Sequence, residues 1–261
     1  VMESRIDREH FTVTRGGHTT WIKPFPISIG SNEAPSSKAS TNGNKESLLG
    51  KYGIQAQFVG VGVERLDYIK GILERFRGIE CFLESNSFYI GKFTFVELGA
   101  PSRTAIPKYA EFVADIEKEA ERINERFKTK TWRPILLLIK HHSHAEIQPF
   151  YKAADICLVT SLHDGMNLVA KEYVMSRDDE KGVLILSKFT GAARELTDAL
   201  IINPYDVAET AEAIKTALEM KPDEQTERMK VMREVLKERN IYKWASDLVG
   251  DLARVRLGRS L

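Results

Sequence analysis

From Ile54 to Asn203 the chain alternates short apolar runs with segments whose apolar residues recur at helical spacing. Each apolar run is bounded by turn residues, as strands are, and the predicted strands are residues 54–61, 92–100, 134–139, 155–160, 183–187 and 199–203. The runs PILLLI and DICLVT are apolar throughout, which is typical of strands covered on both faces. Six strands that alternate with helices predict an α/β fold, a doubly wound parallel sheet of the Rossmann type.

The segments between the strands predict amphipathic helices. Residues 71–84 carry Ile72, Phe76, Ile79 and Leu83 on one face. Residues 108–127 and 207–220 repeat the pattern, the former with Tyr109, Phe112, Val113, Ile116, Ala120 and Ile123 at helical spacing, and two more helices, separated near Asn240, end the sequence. Ligands of such sheets bind at the carboxyl ends of the strands, so the candidate site residues are sought in those loops.

The first 50 residues differ from the rest in composition. Residues 11–24 predict a hairpin that turns at Gly16 and Gly17. A stretch rich in Ser, Asn, Gly, Pro and Lys follows, which is typical of a linker. The predicted organisation is therefore a hairpin segment at residues 1–30, a flexible linker at 31–50, and a Rossmann-like domain with C-terminal helices at 51–261.

Charge and cysteine content exclude several classes of function. The chain has 38 basic and 37 acidic residues, for a net charge of +1, which argues against a broad nucleic-acid or membrane-binding surface. Its two cysteines give no disulfide framework, so a reducing cytoplasm is the expected compartment. The sequence shows no signal-peptide pattern and starts VMES, which suggests a truncated or processed product.

The loop after the first strand carries two cations. Gly60 and Gly62 form a Gly-x-Gly, but Arg65 stands where the third glycine of a dinucleotide fingerprint belongs, which argues against a dehydrogenase. Arg65 and Lys70 are expected in one strand-to-helix loop, with Lys70 in the first helical turn, where they can hold a diphosphate. The alternative is a pair of solvated surface cations. In the next such loop, Arg103 is a candidate phosphate ligand or another surface cation.

The segment SLHDGMNLVAKEY joins the fourth predicted strand to a helix. Asp164 or Asn167 can cap that helix, and its first amides, from Asn167 to Val169, then favour an anion. At the helical rise of about 1.5 Å per residue, the eight steps from Asp164 to Glu172 span about 12 Å, close to the distance from a hexose to the ribose of one nucleotide-sugar. The segment thus predicts a nucleotide-sugar site, and the alternative is an ordinary capped helix with an exposed acid. Gly191 precedes a short helix that can close over the donor.

Three of the six histidines, His141, His142 and His144, lie together. Metal sites need several converging ligands, and Glu146 is the only acid nearby in sequence, so no metal site is predicted here. The chain also has no Asp-x-Asp, the pattern that holds a divalent cation on a sugar-nucleotide diphosphate. Protein cations are expected to take that role.

Five motifs together resemble one enzyme family. ERLDYIKG, APSRTAIPKY, ERINERF, LVTSLHDGMNLVAKEY and GAARELTDALIINPYD occur in the order and spacing of the trehalose-6-phosphate synthases, over about residues 54–258. These are retaining glycosyltransferases with two Rossmann domains, the GT-B architecture. The resemblance implies transfer of glucose from UDP-glucose to glucose 6-phosphate, with retained configuration and with neither metal nor other cofactor.

The resemblance also assigns roles to residues. Arg65 and Lys70 match the pair that neutralises the donor diphosphate during catalysis, and Arg103 matches the arginine that reaches the acceptor phosphate. The donor site that it implies consists of Asp164 at the sugar, Gly165, Met166 and Asn167 in the turn beside it, Leu168 and Val169 at the diphosphate, Glu172 at the ribose, and the backbone near His141 and His142 at the uracil.

A whole synthase of this family is nearly twice as long as this chain. The resemblance therefore implies that this chain is the C-terminal, donor-binding half of such a synthase, with residues 1–30 as the remnant of the N-terminal domain. It also implies that the chain alone has no transferase activity. A glucosylglycerol-phosphate synthase and a non-catalytic, regulatory synthase-like subunit remain as alternatives. The sequence leaves open the donor base, whether uracil, guanine or adenine, and assembly into a homo-oligomer.

Overall fold

A computed structural model of the chain describes residues 3–30, 45–103 and 105–256. The chain divides into two compact units, residues 1–27 with 241–261, and residues 28–240. The strands are β1 (Arg5–Asp7), β2 (Thr12–Arg15), β3 (His18–Trp21), β4 (Phe58–Arg65), β5 (Phe93–Ala100), β6 (Ile135–Ile139), β7 (Ile156–Val159), β8 (Val183–Ser187) and β9 (Leu200–Ile202). The helices are α1 (Lys45–Gly50), α2 (Ile72–Ser85), α3 (Pro107–Phe127), α4 (His144–Ala153), α5 (Leu168–Ser176), α6 (Val207–Glu219), α7 (Pro222–Glu238) and α8 (Ile241–Arg256).

The first unit contains the predicted hairpin. Strands β2 and β3 pair antiparallel and turn at Gly16 and Gly17, both at positive φ, and β1 adds an unpredicted third strand. Helix α8 belongs to this same unit, where Trp244 Nε1 donates to the carbonyl oxygen of Phe25 at 3.0 Å. The partition therefore differs from the predicted one, which placed α8 in a domain at 51–261.

The predicted linker at 31–50 is wrong at its C-terminal end. Residues 45–50 form helix α1, in which Leu49 is buried. The apolar pair Leu48 and Leu49 packs against the core of the second unit and makes this turn helical. Residues 31–44 lie outside the described part of the chain.

The second unit contains a six-stranded parallel sheet in the order β6-β5-β4-β7-β8-β9, which confirms the doubly wound prediction. Successive strands run outward from β4 in one direction and from β7 in the other. The strand order reverses between β4 and β7, and at such a switch point the loops diverge and leave a crevice at the carboxyl ends of the strands.

Helices cover both faces of the sheet, because each turns its apolar stripe inward. On α2 the predicted face, Ile72, Phe76, Ile79 and Leu83, is fully buried. On α3 four of the six predicted residues are buried, while Phe112 and Val113 are partly buried. No helix within the described ranges is both long enough and apolar enough to cross a bilayer.

Strand β4 lies four residues later than predicted, at Phe58–Arg65 rather than 54–61. Gly62 therefore lies inside the strand together with Gly60, not in the loop after it. A Cβ on Gly60 would lie 2.7 Å from the Phe95 ring, and one on Gly62 would lie 2.4 Å from Arg75 Nη1. These glycines make room for neighbouring side chains, so the Gly-x-Gly has a packing role rather than a phosphate-binding one.

Gly71 lies between a 3-10 turn, Tyr68–Lys70, and the start of α2, where its backbone approaches the residue that follows β7. Its φ is 64°, and an added Cβ would lie 2.2 Å from the carbonyl oxygen of Thr160. Gly71→Ala is expected to lower the free energy of unfolding by more than about 2 kcal/mol, since left-handed strain and a clash with backbone add. The matched control, Gly53→Ala, has φ 66° but open space around the new methyl group, so strain alone should cost about 1 kcal/mol. Urea denaturation of both variants checks this, and equal losses would contradict the clash.

Candidate active site

A cavity of about 220 Å³ lies in the crevice at the carboxyl end of β4. Its walls are Val63, Glu64, Arg65, Lys70, Leu98, Ala100, His142, Ile147 and Val169. Four of these were predicted as site residues from three separate stretches of sequence, namely Arg65, Lys70, His142 and Val169. The tertiary structure thus brings both predicted cations and the start of α5 to one cleft.

Arg65 is the last residue of β4 and is exposed. It lies in register with Ala100 at the end of β5, and the two together form one rim of the cavity. Its guanidinium makes no hydrogen bond or ion pair with any residue in the described ranges. Arg65 is therefore an exposed strand residue that lines the cavity, rather than the loop residue predicted.

Lys70 ends a single 3-10 turn, Tyr68–Lys70, so it precedes α2 rather than lying in the first turn of that helix as predicted. Its ammonium donates to Asp164 Oδ2 at 2.6 Å and lies 3.3 Å from Glu64 Oε2. Burial opposes the positive charge, but the two carboxylates outweigh it and raise the pKa of Lys70 above its usual value. Lys70 is therefore a fixed cation that lines the cleft.

The loop between β7 and α5 is organised by Asp164 and Asn167. Asn167 is the cap of α5, because its Oδ1 accepts from the amide of Ala170 at 3.1 Å. Asp164 accepts from Asn167 Nδ2 at 3.2 Å and from the amide of Met166 at 3.4 Å. Burial raises the pKa of Asp164, but its bond to Lys70 and these amides outweigh burial and hold the pKa below the usual value.

Helix α5 begins at Leu168, so Asp164 does not lie on it. The estimate of about 12 Å between Asp164 and Glu172 assumed a continuous helix and does not apply. Glu172 lies on α5, half-buried, and its Oε2 accepts from Tyr151 Oη at 3.4 Å. Glu172 does not line the cavity described above.

The short helix at Gly191–Arg194 packs directly on this loop. The amide of Gly191 donates to the carbonyl oxygen of Asp164 at 3.1 Å, and that of Ala192 to Met166 at 2.8 Å. A Cβ on Gly191 would lie 2.1 Å from the carbonyl oxygen of Gly165, so only glycine permits this approach. The backbone at Gly165 and Met166 is thus held by the Asp164 side chain within the loop and by the short helix packed on it.

Arg103 does not line the cavity. It has a positive φ of 49° and donates a hydrogen bond to Tyr109 Oη, with its guanidinium 5.4 Å from the centre of the Tyr109 ring. The side chain is exposed in the loop that follows β5. Its predicted contact with an acceptor phosphate remains a prediction.

The histidine segment contains one residue of the cleft and leads into α4, a helix absent from the predicted elements. His142 lines the cavity, and its buried Nε2 has no hydrogen-bond partner within the described ranges. Burial, with Lys140 nearby, lowers the pKa of His142, so the ring is neutral at pH 7. Ser143 and Glu146 form a capping box that starts α4, a Ser-x-x-Glu signal readable from sequence. In the described ranges, no three His, Cys, Asp or Glu side chains converge as ligands for a metal ion.

A buried charged cluster beneath the cleft was also missed. Arg75 on α2 is fully buried, and its Nη1 donates to Glu97 Oε2 at 2.6 Å while Nε donates to Thr160 Oγ1 at 3.0 Å. Its Nη2 lies 3.6 Å from Glu64 Oε1. For Glu97 the sequence signal was present, because it is an acid inside the largely apolar predicted strand 92–100, whereas Glu64 lies beyond the predicted end of the first strand.

The strand order and the crevice at the switch point define a Rossmann-type domain. Two cations lie in that crevice beside the N-terminus of α5, an arrangement suited to an anionic nucleotide ligand. The chain belongs to glycosyltransferase family 20, whose family model matches residues 1–254. The fold is that of the C-terminal domain of a GT-B glycosyltransferase. The resemblance predicted from the motifs is thereby confirmed.

Trehalose-6-phosphate synthases are among its relatives. The synthase of Enterobacter sp. (strain 638) is 37% identical across 97% of this chain and 55% of its own length. The bifunctional synthase/phosphatase of Thermoproteus tenax is 43% identical across 76% of this chain and 27% of its own length. The chain thus spans about half the length, or less, of these curated relatives.

Solved structures agree. A UDP-forming α,α-trehalose-phosphate synthase from Burkholderia xenovorans, in complex with glucose-6-phosphate, has a TM-score of 0.89 at 36% identity, covering 97% of this chain and 56% of that one. An Escherichia coli protein bound with UDP-2-fluoro glucose has a TM-score of 0.87 at 36% identity, covering 96% and 56%.

Proposed function

We propose that this chain is the donor-binding half of a trehalose-6-phosphate synthase. In the whole enzyme it would hold UDP-glucose while glucose passes to the anomeric hydroxyl of glucose 6-phosphate, with retained configuration. The observation that carries the proposal is the single cleft lined by Arg65, Lys70 and the first turn of α5. Relatives named for this reaction cover nearly the whole chain, which supports it.

The cleft suits a diphosphate on chemical grounds. Arg65 offers a planar fork without protein partners in the described ranges, and Lys70 offers a fixed ammonium. The amides of Leu168 and Val169 belong to the first turn of α5, where helix geometry leaves them without intrahelical partners. Fixed positive charge of this kind stabilises the negative charge that develops on departing UDP, so the proposed reaction needs no metal.

The remaining roles follow the positions of the side chains. Asp164, beside Lys70, would bind hydroxyl groups of the donor glucose, with Gly165 and Met166 forming the turn against the sugar. Glu172 would hold the ribose. Arg103 would reach the acceptor phosphate from the neighbouring loop. The backbone at His142 would face the uracil, and the neutral ring suits an uncharged base.

Titration calorimetry with UDP, GDP and ADP tests the donor assignment. The chain should bind UDP weakly, with a dissociation constant of roughly 10 μM to 1 mM, and the other two more weakly still. Absence of UDP binding would instead favour a non-catalytic, regulatory module. Both cysteines are free thiols, which supports a reducing compartment such as the cytoplasm for this activity.

A product assay tests the assignment as half an enzyme. With UDP-glucose and glucose 6-phosphate supplied, the chain alone should form no trehalose 6-phosphate, because the proposal assigns most of the acceptor pocket to the other half. Product formation by the chain alone would refute that assignment. A whole synthase containing this chain, offered glucose 6-phosphate and glycerol 3-phosphate together, should choose the former.

A further inference from the structure

Glu64 is a buried acid directly beside the proposed diphosphate site. Along β4 successive side chains point to opposite sides, so Arg65 reaches solvent while Glu64 points into the interior, where it is 5% exposed. It also lines the floor of the cavity. A carboxylate in this position opposes the binding of an anion by its charge. A compensating favourable effect of Glu64 is therefore expected.

Its contacts supply that reason, because one carboxylate joins both walls of the cleft. Glu64 Oε2 lies 3.3 Å from Lys70 Nζ, on the wall formed by β4 and the 3-10 turn. Glu64 Oε1 accepts from Asn167 Nδ2 at 3.3 Å, on the wall formed by the start of α5. Arg75 lies 3.6 Å away and holds the carboxylate from behind.

Lys70 needs this second anchor. Its other partner is Asp164 at 2.6 Å, on the sugar side of the proposed site. A lysine stem has four rotatable bonds and a point-like charge, so with Asp164 alone the ammonium is drawn toward that side. Held between Asp164 and Glu64, it has one position. Asn167 is anchored likewise, since the side chain that bonds Glu64 also caps α5.

We propose that Glu64 is a positioning residue for the donor diphosphate, acting through Lys70 and the Asn167 cap. The inference rests on the proposed function and adds a residue to it. Two effects of Glu64 oppose each other. Its charge repels a phosphate, but its contact with the Lys70 ammonium, at 3.3 Å, is direct and shielded from solvent, so the anchoring outweighs the repulsion.

The test compares two buried acids that share Arg75. Glu64→Gln keeps the shape and removes the charge that anchors Lys70. Glu97→Gln removes an equally buried charge that contacts Arg75 but neither Lys70 nor Asn167. Both variants are measured by calorimetry with UDP-glucose, in the otherwise unchanged chain and in a Lys70→Ala background, and their folding is checked by circular dichroism.

Glu64→Gln should weaken UDP-glucose binding roughly three- to tenfold, while Glu97→Gln changes it less than about twofold. The effect of Glu64→Gln should largely disappear in the Lys70→Ala background, as required if Glu64 acts through Lys70. A purely structural role predicts equal losses from both acids, undiminished when Lys70 is absent. That outcome, or tighter binding by Glu64→Gln, would overturn the inference.

Two further outcomes are separable. If the unmutated chain does not bind UDP-glucose, the proposed function fails first and the inference falls with it. If the chain binds but Glu64→Gln binds equally well, only the inference fails. Should Glu64→Gln not fold, Glu64→Asp takes its place, because the shorter side chain draws the carboxylate away from Lys70. It should weaken binding when Lys70 is present and leave it unchanged when Lys70 is alanine.

Discussion

Arg75→Met is expected to lower the free energy of unfolding by about 3–5 kcal/mol, the largest effect predicted for any single substitution in this chain. Arg75 is fully buried between two buried carboxylates, Glu97 at 2.6 Å and Glu64 at 3.6 Å. Methionine fills much of the same volume but leaves both acids without the cation that compensates them. Urea denaturation followed by far-ultraviolet circular dichroism measures the loss.

The loss should depend on pH in a defined direction. Burial raises the pKa of both Glu64 and Glu97 above the usual carboxyl value, although Arg75 opposes this. A carboxyl with a raised folded pKa contributes stability at low pH, and that contribution is lost as pH rises through the folded value. Removing Arg75 raises both pKa values further. The deficit of the variant should therefore be largest near pH 7.5 and smaller near pH 5.5, where the acids can take up protons.

Arg77→Met is the matched control, because Arg77 lies on the same helix and pairs with Glu119 at the surface. An exposed pair of this kind contributes about 0–1 kcal/mol, so the control should be nearly neutral at either pH. If Arg75→Met were as mild as the control, the buried ion pairs of Arg75 would contribute no more to stability than a surface pair.

Arg65→Ala is expected to weaken UDP binding by roughly 10- to 150-fold, which corresponds to about 1.5–3 kcal/mol for one charge-assisted phosphate contact. The guanidinium has no partner in the described ranges, so its removal leaves no buried acid uncompensated. Stability should change by less than about 0.5 kcal/mol for the same reason. Calorimetry with UDP, alongside urea denaturation, separates the two effects.

Arg133→Ala controls for nonspecific loss of charge. Arg133 is also an exposed arginine but stands just before β6, at the amino end of the sheet and away from the crevice. Its removal should leave UDP affinity unchanged at physiological salt, because exposed charges beyond a screening length of about 8 Å contribute little. Equal losses from both variants would mean that UDP responds to net charge, and the assignment of Arg65 would be wrong.

The local elements of the second unit were readable from sequence, because hydrophobic periodicity directly records which side of a strand or helix is buried. The apolar faces of α2 and α3 and the six parallel strands follow from it. The errors have physical causes as well. The predicted strand ends at Val61, four residues before β4 ends, because Gly62 resembles a loop residue in the sequence, whereas in the structure it relieves crowding against Phe95 and Arg75. Helix α1 was not predicted, because it is only six residues long, follows a polar stretch and buries only Leu49, which is too little for a helical pattern of apolar residues.

The residue types of the candidate site could be predicted from the sequence. The contacts between their side chains could not. The sequence alone determined the fold class, the presence of two cations close to the end of the first long strand and the acid–glycine–asparagine turn before α5, since each is a property of nearby residues in the sequence. Only the tertiary structure decided that Lys70 contacts Asp164 and Glu64, that Asn167 rather than Asp164 caps α5, and that Arg75 lies between two buried acids. These contacts join residues up to 94 positions apart, and their partners are chosen by the packing of the sheet and by the cost of leaving a buried charge uncompensated.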